Sequence, residues 1–162
     1  VLRAVDLGLL KFMRTTGHQP EVETAVRTIS NIGECGALWI GLGALTGLFG
    51  DPRYRRSRFK ASGAAGGAFL LNWAIKQVVR RPRPQLEGYD HIGHTVSGLS
   101  YPSAHVTASF TGARLLSETL PPVPLYATAV AMSLSRPYLG VHYPSDVAAG
   151  VVLGTAVAGL VR

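Results

Sequence analysis

The sequence predicts an all-α, integral-membrane helical bundle of about five spanning helices plus an N-terminal amphipathic helix. Three observations lead there. Charged residues make up only 15% of the 162 residues, well below the roughly 25% of an ordinary soluble domain. Apolar residues reach 47%, with 19 glycines besides. Five uncharged stretches follow one another, at residues 35–50, 61–75, 106–113, 120–135 and 147–161, and too little polar sequence lies between them to coat a water-soluble bundle.

Along the chain, the N-terminal segment comes first. Val1, Leu2, Val5, Leu9, Phe12 and Met13 fall on one helical face, with Arg3, Asp6, Lys11 and Arg14 mostly opposite. Such a helix either lies on a bilayer or packs on the rest of the domain. No basic stretch leads into a cleavable apolar core, so no signal peptide is expected. After the turn residues 17–20, a second helix starts with Pro20 near its first position and Glu21 and Glu23 in the positive first turn. Residues 1–32 are thus amphipathic N-terminal helices, and residues 33–162 the transmembrane core of one domain without repeat or linker.

None of the five stretches alone reaches the 18 to 20 apolar residues of a standard span. Extended by a flanking turn, each reaches about 18 to 22. Small residues inside them, such as Gly63, Gly66 and Gly67, or Gly150 and Gly154 spaced as G-x-x-x-G, are expected to let helices approach closely. Between the first two stretches, Arg53, Arg55, Arg56, Arg58 and Lys60 face a single acid, Asp51. The positive-inside rule puts that loop in the cytoplasm of a plasma-membrane protein. Counting spans from it places the remaining polar clusters on the outer face, although Arg80, Arg81 and Arg83 there run against the simple charge rule. Cys35 is the single cysteine, which excludes an internal disulfide and a multi-cysteine metal site.

The net charge of +7 admits nucleic acid, an anionic membrane or a phosphorylated ligand. Nucleic acid fits poorly, because the basic residues are not interleaved with aromatics and sit on apolar helices. A phosphorylated ligand fits three clusters that the topology gathers on one face. In the first, Lys76, Arg80, Arg81 and Arg83 place four cations within eight residues, which is costly near a bilayer unless an anion sits among them. The second is Tyr101-Pro102-Ser103-Ala104-His105. The third runs from Ser135-Arg136 through His142 to Asp146. In the last two a Tyr-Pro-Ser triplet opens an apolar helix, with Pro102 and Pro144 at the first helical position. Two helix N-termini then aim free N–H groups and positive dipole ends at one region. His142 and Asp146 are spaced for the carboxylate to hold one imidazole nitrogen and leave the other as a nucleophile or base, while His105 is placed to supply a proton.

Lys76-x6-Arg83-Pro84, Pro102-Ser103-Ala104-His105 and Ser135-Arg136-x5-His142-x3-Asp146 match, in order and spacing, the three-part signature of the type 2 phosphatidic acid phosphatase (PAP2) superfamily. The chain therefore resembles the membrane branch of that family. Two departures are Ala104, where the family usually has Gly, and the amphipathic N-terminal segment in place of a first span. The resemblance implies a metal-independent lipid-phosphate phosphatase. His142 would form a phosphohistidine, Asp146 would orient it, and His105 would protonate the leaving alkoxide and later activate water. Lys76, Arg83 and Arg136, with Ser103 and the backbone at Ala104, would hold the phosphoryl oxygens. No cofactor and no metal are expected. Ser135 would support the site, and Arg80 or Arg81 would contact a second anionic part of the substrate or the headgroup layer.

Within the family, the short chain and residues 99–109 and 135–154 are similar to small actinobacterial members acting on decaprenylphosphoryl-5-phosphoribose in cell-wall arabinan synthesis. Undecaprenyl diphosphate, phosphatidylglycerophosphate and phosphatidic acid are the alternatives. The same signature occurs in vanadium haloperoxidases, which are longer and soluble, and a non-catalytic lipid-binding protein would require a decayed motif. Membrane lipids are the other expected partner.

Overall fold

The computed structural model describes residues 2–89, 92, 93, 95 and 97–162. Among them it is helical throughout: α1 Leu2–Thr15, α2 Pro20–Ile32, α3 Ala37–Phe49, α4 Arg55–Val79, α5 Ala104–Leu116, α6 Pro122–Tyr138 and α7 Pro144–Val161. Short 3-10 turns at Glu34–Gly36 and Pro52–Tyr54 precede α3 and α4. Two isolated bridges, Pro82 with Leu99 and Leu86 with Tyr89, fasten the connection from α4 to α5. All five apolar stretches of the sequence fall in helices.

The helix α5 is the centre of the bundle. It packs on α4, α7, α6 and α3, and most of its residues are buried. Close packing there comes from small residues. A Cβ on Gly112 would meet the Trp39 side chain at 2.7 Å, and one on Gly154 would meet the Thr107 carbonyl at 2.4 Å. Gly150 and Gly154 thus seat α7 on α5 as the G-x-x-x-G spacing predicts. Gly63 and Gly67 do not serve this way: both face open space, and the inward side of α4 is lined instead by Ala61, Ala65 and Ala68. Polar side chains tie the helices from within: Trp39 Nε1 donates to Ser109 Oγ at 2.9 Å, Asn72 Nδ2 to Thr107 Oγ1 at 3.0 Å, and Thr111 Oγ1 to the Gly154 carbonyl at 3.0 Å.

Large apolar side chains point the other way. Leu45, Leu48, Phe49, Leu70, Trp73, Val78, Val130, Leu134, Val152 and Leu160 are exposed, whereas Asn72, Lys76, Ser103, Thr107 and Asp146 are buried. Polar inside and apolar outside is the arrangement of a protein solvated by lipid.

One helix, α7, is by itself long and apolar enough to cross a membrane; α2 with the 3-10 turn and α3, bent by 42°, forms a second candidate. Of the five spans expected, one is long and apolar enough by itself among the described residues. At 1.5 Å per residue, α3 and α5, with 13 residues each, are about 20 Å long.

The helix α1 lies across the end of the bundle. Its polar side, Asp6 and Arg14 with Leu10 between them, packs on the protein, while Val5, Leu9 and Phe12 are exposed. The structure shows the packing alternative: the polar face of α1 lies on the domain, and Val5, Leu9 and Phe12 face outward. Val1 lies outside the described residues. His18 stacks on Tyr138 at 4.1 Å, and the Tyr138 hydroxyl donates to the Gly17 carbonyl at 3.0 Å, so the α1–α2 turn is fixed to the end of α6.

Candidate active site

The C-terminal ends of α2, α4 and α6 and the N-terminal ends of α5 and α7 converge at one end of the bundle. Between them is a cavity of about 100 Å³ lined by Lys76, Arg83, Ala104, His105, Arg136 and His142, with Glu34, Cys35, Phe69, Asn72, Trp73, Thr95 and Ser97. Residues from all three sequence clusters meet there.

The three cations are held by the protein's own oxygens. Lys76 is buried in the last turn of α4, and its Nζ donates to the carbonyls of Leu99 and Ser100, each at 3.0 Å. Arg83 donates from Nε to the Ser97 carbonyl at 2.7 Å and from Nη1 to the Val141 carbonyl at 2.7 Å; burial lowers its pKa to about 10. Arg136, near the end of α6, donates from Nη1 to Ser30 Oγ on α2, and its Nε is buried without a partner. An ammonium has three donors and a guanidinium five, so each cation is oriented by carbonyl or hydroxyl acceptors and keeps donors for an anion.

His142 sits just before α7, 2% exposed. Its Nε2 lies 3.3 Å from Arg83 Nη1 and its Nδ1 lies 3.4 Å from Asp146 Oδ2, beyond good hydrogen-bond length. A guanidinium can only donate, so Nε2 carries the lone pair and Nδ1 the hydrogen that faces Asp146. Burial, then the charges of Arg136 and Arg83, hold the imidazole well below its ordinary pKa, which keeps it neutral. Asp146 is fully buried in the first turn of α7. Its Oδ2 accepts from the Tyr143 backbone N–H at 2.9 Å and its Oδ1 from Arg81 Nη1 at 2.7 Å.

His105 is the second residue of α5, and its Nε2 lies 3.2 Å from the Ser30 carbonyl. A carbonyl only accepts, so Nε2 carries the hydrogen and Nδ1 is left to take up or give a proton. Ser103 caps α5. Its Oγ is buried and unpartnered, while its N–H is committed to the Asp146 carbonyl at 3.1 Å. The helix begins at Ala104, so Pro102 precedes it by two residues and does not occupy the first helical position; Pro144 does open α7. Ser135 Oγ bonds back to the Met132 carbonyl at 2.6 Å.

Arg80 and Arg81 stand outside the cavity lining. Arg80 ends α4 in the left-handed region, φ 53°, and is exposed. Arg81 is engaged by Asp6 and Asp146 at 2.9 and 2.7 Å, so its guanidinium has no open face like those in the cavity. Sequence reading missed Ser30, Asp6, Glu34 and the carbonyls of residues 97, 99, 100 and 141. Asp6 was visible only as one polar residue of an amphipathic helix, and nothing local marked the others.

The cavity gathers three cations around a neutral imidazole, and sequence comparison gives the class: residues 59–162 match the PAP2 superfamily, and the chain belongs to it. It is a phosphoric monoester hydrolase. Among curated relatives, a decaprenylphosphoryl-5-phosphoribose phosphatase of Mycolicibacterium smegmatis is 43% identical over 152 residues, covering 91% of this chain and 82% of that protein. Among solved structures, a transmembrane PAP2-type phosphatidylglycerolphosphate phosphatase of Bacillus subtilis superposes with a TM-score of 0.79 at 25% identity, covering 99% of this chain and 84% of that one. LpxE of Aquifex aeolicus shares the fold, with a TM-score of 0.82 at 22% identity over 97% and 94% of the two chains. These neighbours and the outward apolar surface mark the chain as membrane-associated.

Proposed function

We propose that the chain removes a phosphomonoester from a polyprenyl-linked sugar, with decaprenylphosphoryl-5-phosphoribose as the substrate that best fits, through a phosphohistidine on His142. The observation that carries this reading is the lining of the cavity: Lys76, Arg83 and Arg136 beside a neutral His142, with Phe69 and the exposed Trp73 on the α4 side. A phosphate is taken by the cations, and a lipid chain by the apolar flank. The named activity of the relative at 43% identity supports the sugar-phosphate substrate.

In this reading Nε2 of His142 attacks phosphorus in line as the P–O bond to the sugar breaks. Nδ1 of His105, which takes up the acidic proton of the incoming phosphomonoester monoanion, delivers it to the departing oxygen. Lys76, Arg83, Arg136, the Ser103 hydroxyl and the N–H groups opening α5 take the equatorial oxygens. Water, deprotonated by His105, then attacks phosphorus, the P–N bond breaks, and inorganic phosphate leaves. Cations do what a metal does elsewhere, and the described residues bring together no group of three His, Cys, Asp or Glu side chains.

The α4 helix is 25 residues long, about 37 Å at 1.5 Å per residue. Its polar residues Asn72 and Lys76 turn inward, so whole-helix hydropathy understates its lipid-facing surface. Five spans, with α3 continuing from α2 and α5 shielded by its neighbours, follow from that reading. The basic residues 53–60 are then cytoplasmic and the site opens on the outer face of the plasma membrane.

The test is phosphate release by detergent-solubilised protein in EDTA across phosphoribosyl-lipid, prenyl diphosphate and glycerophospholipid substrates. The phosphoribosyl-lipid is expected to give the highest kcat/KM. Preference for another substrate overturns the assignment, and activity that requires added magnesium overturns the mechanism.

A further inference from the structure

The amphipathic N-terminal helix reaches into the phosphoryl-transfer site through one carboxylate. Asp6 of α1 is 3% exposed. Its Oδ1 accepts from the Ser145 N–H at 2.9 Å. Its Oδ2 accepts from the Ser145 hydroxyl and from Arg81 Nη2 at 2.9 Å. The other terminal nitrogen of the same guanidinium, Nη1, donates to Asp146 Oδ1 at 2.7 Å and to Ser145 Oγ at 2.7 Å. Arg81 also lies over the Tyr143 ring, 3.9 Å from its centre. A planar fork clamped at both nitrogens and stacked on one face has a fixed position.

We propose that Asp6 and Arg81 are positioning residues for catalysis: Asp6 anchors Arg81, and Arg81 holds one oxygen of Asp146 so that the other faces Nδ1 of His142. The proposal rests on the reading of His142 as nucleophile. The carboxylate that orients the histidine is not held by its own helix alone. Its Oδ2 is shared between the Tyr143 N–H and the imidazole, and Arg81 bonds its Oδ1. A bond from Asp6 to the first turn of α7 through Ser145 closes the loop, and α1 thereby joins segments 139 residues apart.

The proposal explains two features that the core reaction leaves over. Asp6 is buried on a helix whose Val5, Leu9 and Phe12 are exposed, and Arg81 of the 76–83 cluster stands outside the cavity lining. Arg81 carries one positive charge between two carboxylates, so the three groups together hold one negative charge, which the three cations lining the cavity, Lys76, Arg83 and Arg136, outweigh.

The experiment compares Asp6→Asn, Asp6→Glu, Arg81→Gln and Arg81→Lys in the full chain by steady-state kinetics and single-turnover phosphoprotein formation. Lys11→Gln, on the exposed side of the same helix, is the control and keeps its activity. Asp6→Asn and Arg81→Gln are expected to lower kcat and the phosphoprotein rate by about 10- to 100-fold, with KM changed less than about threefold because Lys76, Arg83 and Arg136 are untouched. Asp6→Glu recovers part of the rate; Arg81→Lys does not, because an ammonium cannot bridge both carboxylates as a fork. A kcat within about twofold of the parent for Asp6→Asn, or a loss confined to KM, overturns the proposal. An inactive protein that elutes as aggregate is set aside in favour of Ser145→Ala, which removes the two hydroxyl bonds of the same link and is expected to give a smaller kcat loss; an unchanged kcat there, with Asp6→Asn aggregated, overturns it too. His142→Ala separates the two levels: if it stays active, the nucleophile is wrong, whereas an inactive His142→Ala beside a fully active Asp6→Asn defeats the link alone.

Discussion

The two ends of α4 both carry cations, and they hold them in opposite ways. At its start Arg53, Arg55, Arg56 and Lys60 are exposed, with no backbone carbonyl fixing their head groups among the bonds found; Arg58 turns inward, donating to the carbonyls of Thr46 and Thr119 at 3.0 and 3.2 Å, and so caps the end of α3. At its far end Lys76 is buried, as is Arg136 beside it, and Arg83 is half-buried. Each is held by at least one oxygen of the protein. A solvated cation is screened within about 8 to 10 Å and worth little at fixed geometry. A buried one, already desolvated and aimed, acts on a phosphoryl group without reorganising at the moment of reaction. Charge alone does not separate the two ends; burial and bonding do.

The change expected to have the largest effect removes the proposed nucleophile from the buried end. His142→Ala is expected to lower turnover by at least about a thousandfold and to abolish acid-labile phosphoprotein; near-normal turnover would sink the contrast in its catalytic form. A pH series sharpens it. A histidine with its pKa lowered in the folded protein loses its lone pair only when the pH falls through that lowered value. Phosphoprotein formation in single turnovers is therefore expected to persist below about pH 6.5, where an ordinary imidazole is half protonated. A loss centred on that ordinary value would show His142 to be solvated.

A smaller effect is expected one bond away. Ser30 joins the buried end through two atoms: its hydroxyl accepts from Arg136 and its carbonyl from His105. Ser30→Ala deletes the first and keeps the second. A hydrogen bond to a charged group contributes about 1.5 kcal/mol, so kcat/KM should drop about tenfold while the helix persists. An unchanged value would mean that Arg136 is fixed by its surroundings without the hydroxyl.

What the sequence made legible follows the same division between local and distant causes. The start of α2 at Pro20 and of α7 at Pro144 was readable, because a proline at the first helical position acts locally. The family signature was readable because each of its three clusters lies within a short run of sequence. Gly63 and Gly67 were misread as contact points, since composition does not tell which face of α4 looks inward. Span length was misjudged because α5 is buried among its neighbours, and a hidden helix need not be long. Asp6, Ser30 and the bonding of Arg81 were invisible as site features: their partners lie 64 to 139 residues away, and no local pattern announces a contact that only the packed bundle creates.

The smallest effect on chemistry is expected at the exposed end, and it tests the comparison most directly. Arg55→Gln with Arg56→Gln removes two charges from the start of α4, about the same formal charge as losing two of the three cavity cations. If charge by itself made the phosphate site, a shift of the whole molecular field would be felt in turnover. At a distance of about 30 Å or more along α4, beyond several screening lengths, it should not be, and kcat/KM in detergent is expected to stay within about twofold. The same variant should lose something else. Each basic residue near an anionic leaflet contributes about 1 kcal/mol, so the protein is expected to insert with a less uniform orientation, read by protease accessibility of the 53–60 loop in vesicles. Unaltered orientation together with a large kinetic loss would reverse the assignment of the two ends.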